Sequence, residues 1–121
     1  MTWLLVACGG AIGATLRYGL GLLLVKPNSV FPWPTWWINL LGCLLAGVFF
    51  ALSQKYPSLQ NEARLFFMVG ILGGFTTFSS FGLETFQLLK QGYMLLALTY
   101  ALSSLVCGVL LLALAVYILQ R

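Results

Sequence analysis

Arg17, Asn39 and the run Gly73-Gly74-Phe75-Thr76-Thr77-Phe78-Ser79-Ser80-Phe81 are the groups in this sequence best suited to handling a charged solute, because each sits inside an apolar stretch. A guanidinium within a membrane helix costs about 2.5–3.5 kcal/mol on insertion scales, so Arg17 needs an offset from snorkelling, a partner carboxylate or helix-end carbonyls. Its charge either draws an anion towards a pore mouth or ties its helix to a neighbour. Asn39 carries two amide donors and one carbonyl acceptor. It either bridges two helices or presents N–H to a passing anion. In the long run, two glycines and two threonines together disfavour helix and predict a break near residues 73–77. Freed backbone groups are tolerated at membrane depth only beside protein, water or an ion, and freed carbonyls suit a cation. Phe78 and Phe81 are three residues apart and predicted to share a helix face. The positive edges of their rings could stabilise a small dehydrated anion, with the Ser79 and Ser80 hydroxyls as donors beside them. The plainer alternative is a kinked helix with ordinary aromatic packing.

Further along, Tyr100 and Ser104 fall one helical turn apart, with Thr99 and Ser103 one step round. This polar stripe is either a hydrated track or glue between helices. Glu84, one turn beyond Ser80, either lines the same face near a mouth or is interfacial, with Lys90 within reach. Enzymatic chemistry is not expected. There is no histidine, and the only acids are Glu62 and Glu84, so the usual proton carriers and metal ligands are missing. Cys8, Cys43 and Cys107 each stand alone in an apolar run and read as small buried hydrophobes. No phosphate-binding glycine loop of the Walker type is present, which argues against an ATP-driven pump.

The elements that must carry these groups follow from composition. Of 121 residues, 61% are hydrophobic and 7% charged, with a mean hydropathy of +1.01. Soluble domains carry about 25% charged residues, so the chain is predicted to be an integral membrane protein. At about 20 residues per crossing, four helices use nearly all of it: about 2–25, 34–53, 61–90 with the break inside, and 93–119. This is a single all-α transmembrane domain, with no room for a soluble one. The first helix lacks a basic segment before it and a cleavage pattern after it, so it reads as a retained span. Lys26-Pro27-Asn28-Ser29 turns the chain into an aromatic entry of Phe31, Trp33, Trp36 and Trp37, suited to a membrane interface. Pro34 suits the first turn of the second helix, Asn61 is a plausible cap of the third, and Gly92 suits the third turn.

Four crossings place both termini on one side. That side holds Lys55, Arg64 and Arg121; the other holds Lys26, Lys90 and, if it reaches that way, Arg17. So small a bias barely fixes orientation, which leaves insertion in both orientations, and an antiparallel dimer, open.

Three segments together resemble the Fluc (CrcB) fluoride channel family in order and spacing: Gly9-Gly10-Ala11-Ile12-Gly13-Ala14-Thr15-Leu16-Arg17-Tyr18, Pro34-Thr35-Trp36-Trp37-Ile38-Asn39-Leu40-Leu41-Gly42, and Gly70 to Phe81. The likeness covers essentially the whole chain. Trp36 and Trp37 depart from it, standing where smaller or aliphatic residues are expected. The resemblance implies an antiparallel, dual-topology homodimer in a bacterial inner membrane, conducting fluoride passively through two pathways and giving fluoride resistance. It implies a structural sodium ion at the dimer centre, on the backbone carbonyls of Gly73 and Thr76. It also implies a fluoride path along Asn39, Phe78, Phe81, Ser79, Ser80, Tyr100 and Ser104, with Arg17 favouring anions in the vestibules and Glu84 near the exit. The rivals are a small dual-topology multidrug exporter and a non-conducting accessory subunit. The exporter needs an embedded acid, typically in its first helix, where this chain has Arg17.

Overall fold

The computed structural model describes residues 1–120. Two long helices, α1 (Thr2–Leu24) and α2 (Trp33–Lys55), are joined by a turn in which Asn28 takes a left-handed backbone with φ 69°. Asparagine tolerates that conformation better than most residues. Pro34 lies in the first turn of α2, where its missing N–H costs no hydrogen bond.

After α2 the chain makes a short 3-10 turn, Pro57–Gln60, and enters a π-helix, Arg64–Leu72. Asn61 makes no side-chain cap; it follows the 3-10 turn, and its carbonyl accepts from the Leu65 N–H. The π-helix passes into the short α3 (Gly73–Phe75), and the chain is helical again in α4 (Ser79–Lys90). Composition predicts a break over 73–77, but Gly73, Gly74 and Phe75 are helical and the residues outside helix are Thr76–Phe78. Thr76 Oγ1 donates to the Leu72 carbonyl, and Thr76 then turns to an extended backbone with φ −84° and ψ 157°. The threonines end the helix here, and the glycines before them stay in it. Gly92, with φ 90°, supports the turn into α5 (Met94–Leu119).

Among the described residues, four stretches are long and apolar enough to cross a membrane: Thr2–Leu24, Trp33–Lys55, Arg64–Lys90 and Met94–Leu119. They pack as two pairs. α1 lies along the π-helix and α3, while α2 lies along α5, with α4 also against α5. The first pair is set by backbone approach. A Cβ at Gly9 would strike the Phe66 carbonyl, and one at Gly13 the Ile71 carbonyl. Small residues at such crossings let two membrane helices gain van der Waals contact that bulky side chains would prevent. Large apolar side chains such as Trp3, Leu95, Leu105 and Leu110 face outwards, as expected where the surrounding medium is lipid. The buried cluster is Leu88, Ala97 and Tyr100, walled by Phe31, Trp36, Phe81 and Leu96.

Candidate functional site

The non-helical residues Thr76–Phe78 are held by a side chain from another span. Asn39, in α2, donates from Nδ2 to the Thr77 carbonyl at 2.9 Å and accepts the Thr77 N–H on Oδ1 at 3.0 Å. One amide thereby satisfies both backbone groups of a residue outside helix, where each would otherwise be costly. Of the two roles read from the sequence, Asn39 makes the bridge.

This arrangement changes which carbonyls are paired. In a continuing helix the Thr77 N–H would bond Gly73, and the Ser80 N–H would bond Thr76. Instead the Thr77 N–H goes to Asn39, and the Ser80 N–H goes to Thr77 Oγ1 at 3.1 Å. The Gly73 and Thr76 carbonyls are thus relieved of their helical donors. The neighbouring Gly74 carbonyl accepts from Arg17 Nε at 3.1 Å. Arg17 therefore finds its offset in a helix-end carbonyl and ties α1 to α3.

Gly73 and Thr76 line an open, mainly apolar groove of about 490 Å³, together with Asn39, Phe78, Phe81 and Ser104. Gly73 has no side chain, so it presents backbone alone. Hard cations take oxygen ligands, carbonyls included, so the oxygens at this position fit a sodium ion. Among the described residues no group of three His, Cys, Asp or Glu could hold a metal.

The aromatic pair meets, though not on one helix face. Phe78 precedes α4 and Phe81 lies in it, with ring centroids 5.9 Å apart and planes inclined at 37°. Phe78 is 83% exposed, so its ring projects from the subunit. Phe81 is held from behind by Tyr100, with centroids 5.1 Å apart. Tyr100 is wholly buried, and its hydroxyl donates to Glu84 Oε1 at 3.1 Å. Glu84 therefore faces the bundle, and its partner is Tyr100. Ser104 Oγ is buried at the groove without a hydrogen-bond partner among the described residues. Ser79 is exposed, with Oγ 3.5 Å from Thr77 Oγ1, while Ser80 is half-buried and contributes its backbone N–H to Thr77. Of the polar stripe on α5, Thr99 bonds its own helix at the Leu95 carbonyl, and Ser103 accepts from Trp36 Nε1 at 2.9 Å.

Three contributors to the site were not singled out as such by sequence. Thr77 organises the non-helical residues through both backbone and hydroxyl, and its signal was a threonine three residues before a helical N–H. Phe31, in the first loop, sets its ring edge-on to Tyr100, with centroids 5.3 Å apart at 88°. Trp36 bonds α2 to α5 through Ser103. No spacing rule reaches the last two, because their partners are remote in the chain.

Four helical stretches long and apolar enough to cross a membrane define a multi-pass α-helical membrane protein. Residues 4–116 match the family described as CrcB-like protein, Camphor Resistance (CrcB). A Thermus thermophilus protein named fluoride-specific ion channel FluC is 51% identical over 110 residues, 90% of this chain and 87% of that one. A Phocaeicola vulgatus protein of the same name is 43% identical over 88% of each chain, and one from Hyphomonas neptunium is 44% identical over 98% of this chain and 95% of its own. The chain belongs to the CrcB family.

Proposed function

We propose that this protein is a passive fluoride-selective channel that lets cytoplasmic fluoride leave the cell and so confers fluoride resistance. The observation that carries the reading is the convergence of Asn39, Phe78, Phe81 and the Ser104 hydroxyl, unpartnered among the described residues, on one apolar groove. An anion that small gives up water only where donors and positive ring edges replace it. A groove without a cationic side chain in its wall offers that exchange without trapping the ion. The name that the relatives carry, fluoride-specific ion channel, supports the same substrate.

The working unit is an antiparallel homodimer in the bacterial inner membrane. The near balance of basic residues on the two sides permits both orientations. The open groove and the projecting Phe78 ring favour a second copy as the surface that completes the path. The third span acts as a broken membrane helix at the centre of that dimer. There the Gly73 and Thr76 carbonyls of both subunits would hold a structural sodium ion, which supplies fixed positive charge. Asn39 holds the non-helical residues in place, and Arg17 pins the Gly74 carbonyl while adding a positive field. Ser79, Ser80, Tyr100 and Ser104 form the polar side of the route, and Glu84 stands near its exit.

Neutral hydrogen fluoride crosses membranes and dissociates in a less acidic cytoplasm, trapping the anion. A negative-inside potential then drives fluoride out, at about 2.3 kcal/mol per charge per 100 mV, so no further energy source is needed. The test is fluoride efflux from liposomes containing the purified protein, under a potassium potential set by valinomycin. Potential-driven loss of fluoride without loss of chloride is expected. No flux from folded dimer would overturn the channel and revive the exporter and accessory-subunit readings.

A further inference from the structure

A second cavity, of about 310 Å³, lies beneath the first loop and is lined by Lys26, Phe31, Pro34, Glu84, Gln87 and Gln91 among others. Unlike the groove, its wall is rich in polar side chains, and Lys26 and Glu84 bring both charge signs to it. The two cavities are neighbours across one layer of side chains. Phe81 lines the groove and Glu84 lines the second cavity. Tyr100 touches both, stacking on Phe81 and donating to Glu84. Phe31 closes the layer, lining the second cavity while its ring meets Tyr100 edge-on.

We propose that this cavity is the aqueous mouth of the fluoride route within each subunit, and that Lys26 is the charge that offsets Glu84 there and so lets anions enter. The inference rests on the channel reading above. A carboxylate at the mouth of an anion path repels the ion it should admit. Tyr100 occupies one oxygen of Glu84, but a hydroxyl carries no net charge. Among the described residues, Lys26 is the one basic side chain on this wall. Its Nζ stands 4.7 Å above the centre of the Trp33 ring. That contact restrains the ammonium over Trp33, next to the cavity that Lys26 lines, instead of leaving it to sweep through solvent. Lys26 thus offsets Glu84 and makes the mouth neutral for an arriving anion. A charge acting in this way raises capture, and salt screens it over about 10 Å at 0.1 M.

The experiment measures fluoride flux in liposomes for wild type, Lys26→Gln, Lys26→Arg and Lys90→Gln, from low to high ionic strength. Lys90 lies at the end of α4 and does not line the cavity. Lys26→Gln is expected to conduct about tenfold less at low ionic strength, with the gap closing as salt rises. Lys26→Arg should keep near wild-type flux, since it restores the charge and the stacking cation, and Lys90→Gln should stay close to wild type throughout. Wild-type flux from Lys26→Gln at low salt would overturn the inference. So would a deficit that is constant across salt and is not rescued by arginine, because that is the signature of lost packing. A wild-type protein that passes no fluoride would overturn the channel reading itself, and this inference with it.

Discussion

Asn39 and Thr77, 38 residues apart in the chain, are joined by two hydrogen bonds: the Asn39 amide donates to the Thr77 carbonyl and accepts from its N–H. The pair locks α2 to the one stretch of the third span that is outside helix. It also diverts the N–H that would otherwise close onto Gly73, which is why a carbonyl is left for other use.

Asn39→Ala removes both bonds and leaves two backbone groups unpaired at membrane depth. Each such loss costs about 1–3 kcal/mol. The variant is expected to unfold at a clearly lower temperature in detergent and to pass little fluoride. Unfolding is followed as loss of the folded elution peak on heating, and an unchanged midpoint would show that the bonds do not hold the segment.

Phe81→Ile keeps an apolar side chain but removes the ring edge and the stack on Tyr100. Fluoride efflux is expected to slow by an order of magnitude or more, about 1.4 kcal/mol per tenfold, while the protein elutes as before. Wild-type efflux would remove Phe81 from the path.

Gly13→Ala drives a methyl group into the Ile71 carbonyl, where neither backbone can yield easily. Overpacking of this kind costs about 1–3 kcal/mol. Gly19→Ala, by contrast, meets nothing within 4 Å in the same helix and gains up to about 1 kcal/mol of helix preference. Thermal unfolding of the two variants should therefore shift in opposite directions. Equal shifts would mean that the approach of α1 to the third span is not set by Gly13.

Prolonged dialysis of the purified protein into sodium-free buffer, with a large organic cation as replacement, is expected to lower both thermal stability and fluoride flux, with recovery on return of sodium. On the reading proposed above, that exchange would leave the Gly73 and Thr76 carbonyls without their ion. Flux and stability indifferent to sodium would exclude the ion from the centre.

Much of this architecture was legible in the sequence, because hydropathy over about 20 residues reports directly on a bilayer crossing. Four spans, the aromatic entry at Trp33, Trp36 and Trp37, Pro34 in a first turn and Gly92 in the last loop are each decided by local chemistry. The glycine and threonine run marked the region of irregular backbone, though not which residues leave the helix. Glycine disfavours helix only weakly when a neighbour packs against it, and Gly74 is held close to the Gly10 backbone. Thr76 and Thr77 leave because Leu72, Asn39 and Ser80 take their polar groups.

Sequence alone thus determined the class of protein, the number of spans and the short set of polar side chains that membrane insertion makes expensive. Only the tertiary structure decided what each of them does. Arg17, Asn39 and Glu84 had several physically adequate partners when seen as letters. The fold gave them Gly74, Thr77 and Tyr100, from other spans in each case. Hydropathy depends on a residue and its near neighbours, whereas hydrogen-bond geometry depends on the distance and angle between groups far apart in the chain. Those are fixed only when the glycine-lined contact of α1 with the third span, and the pairing of α2 with α5, set the helices in register.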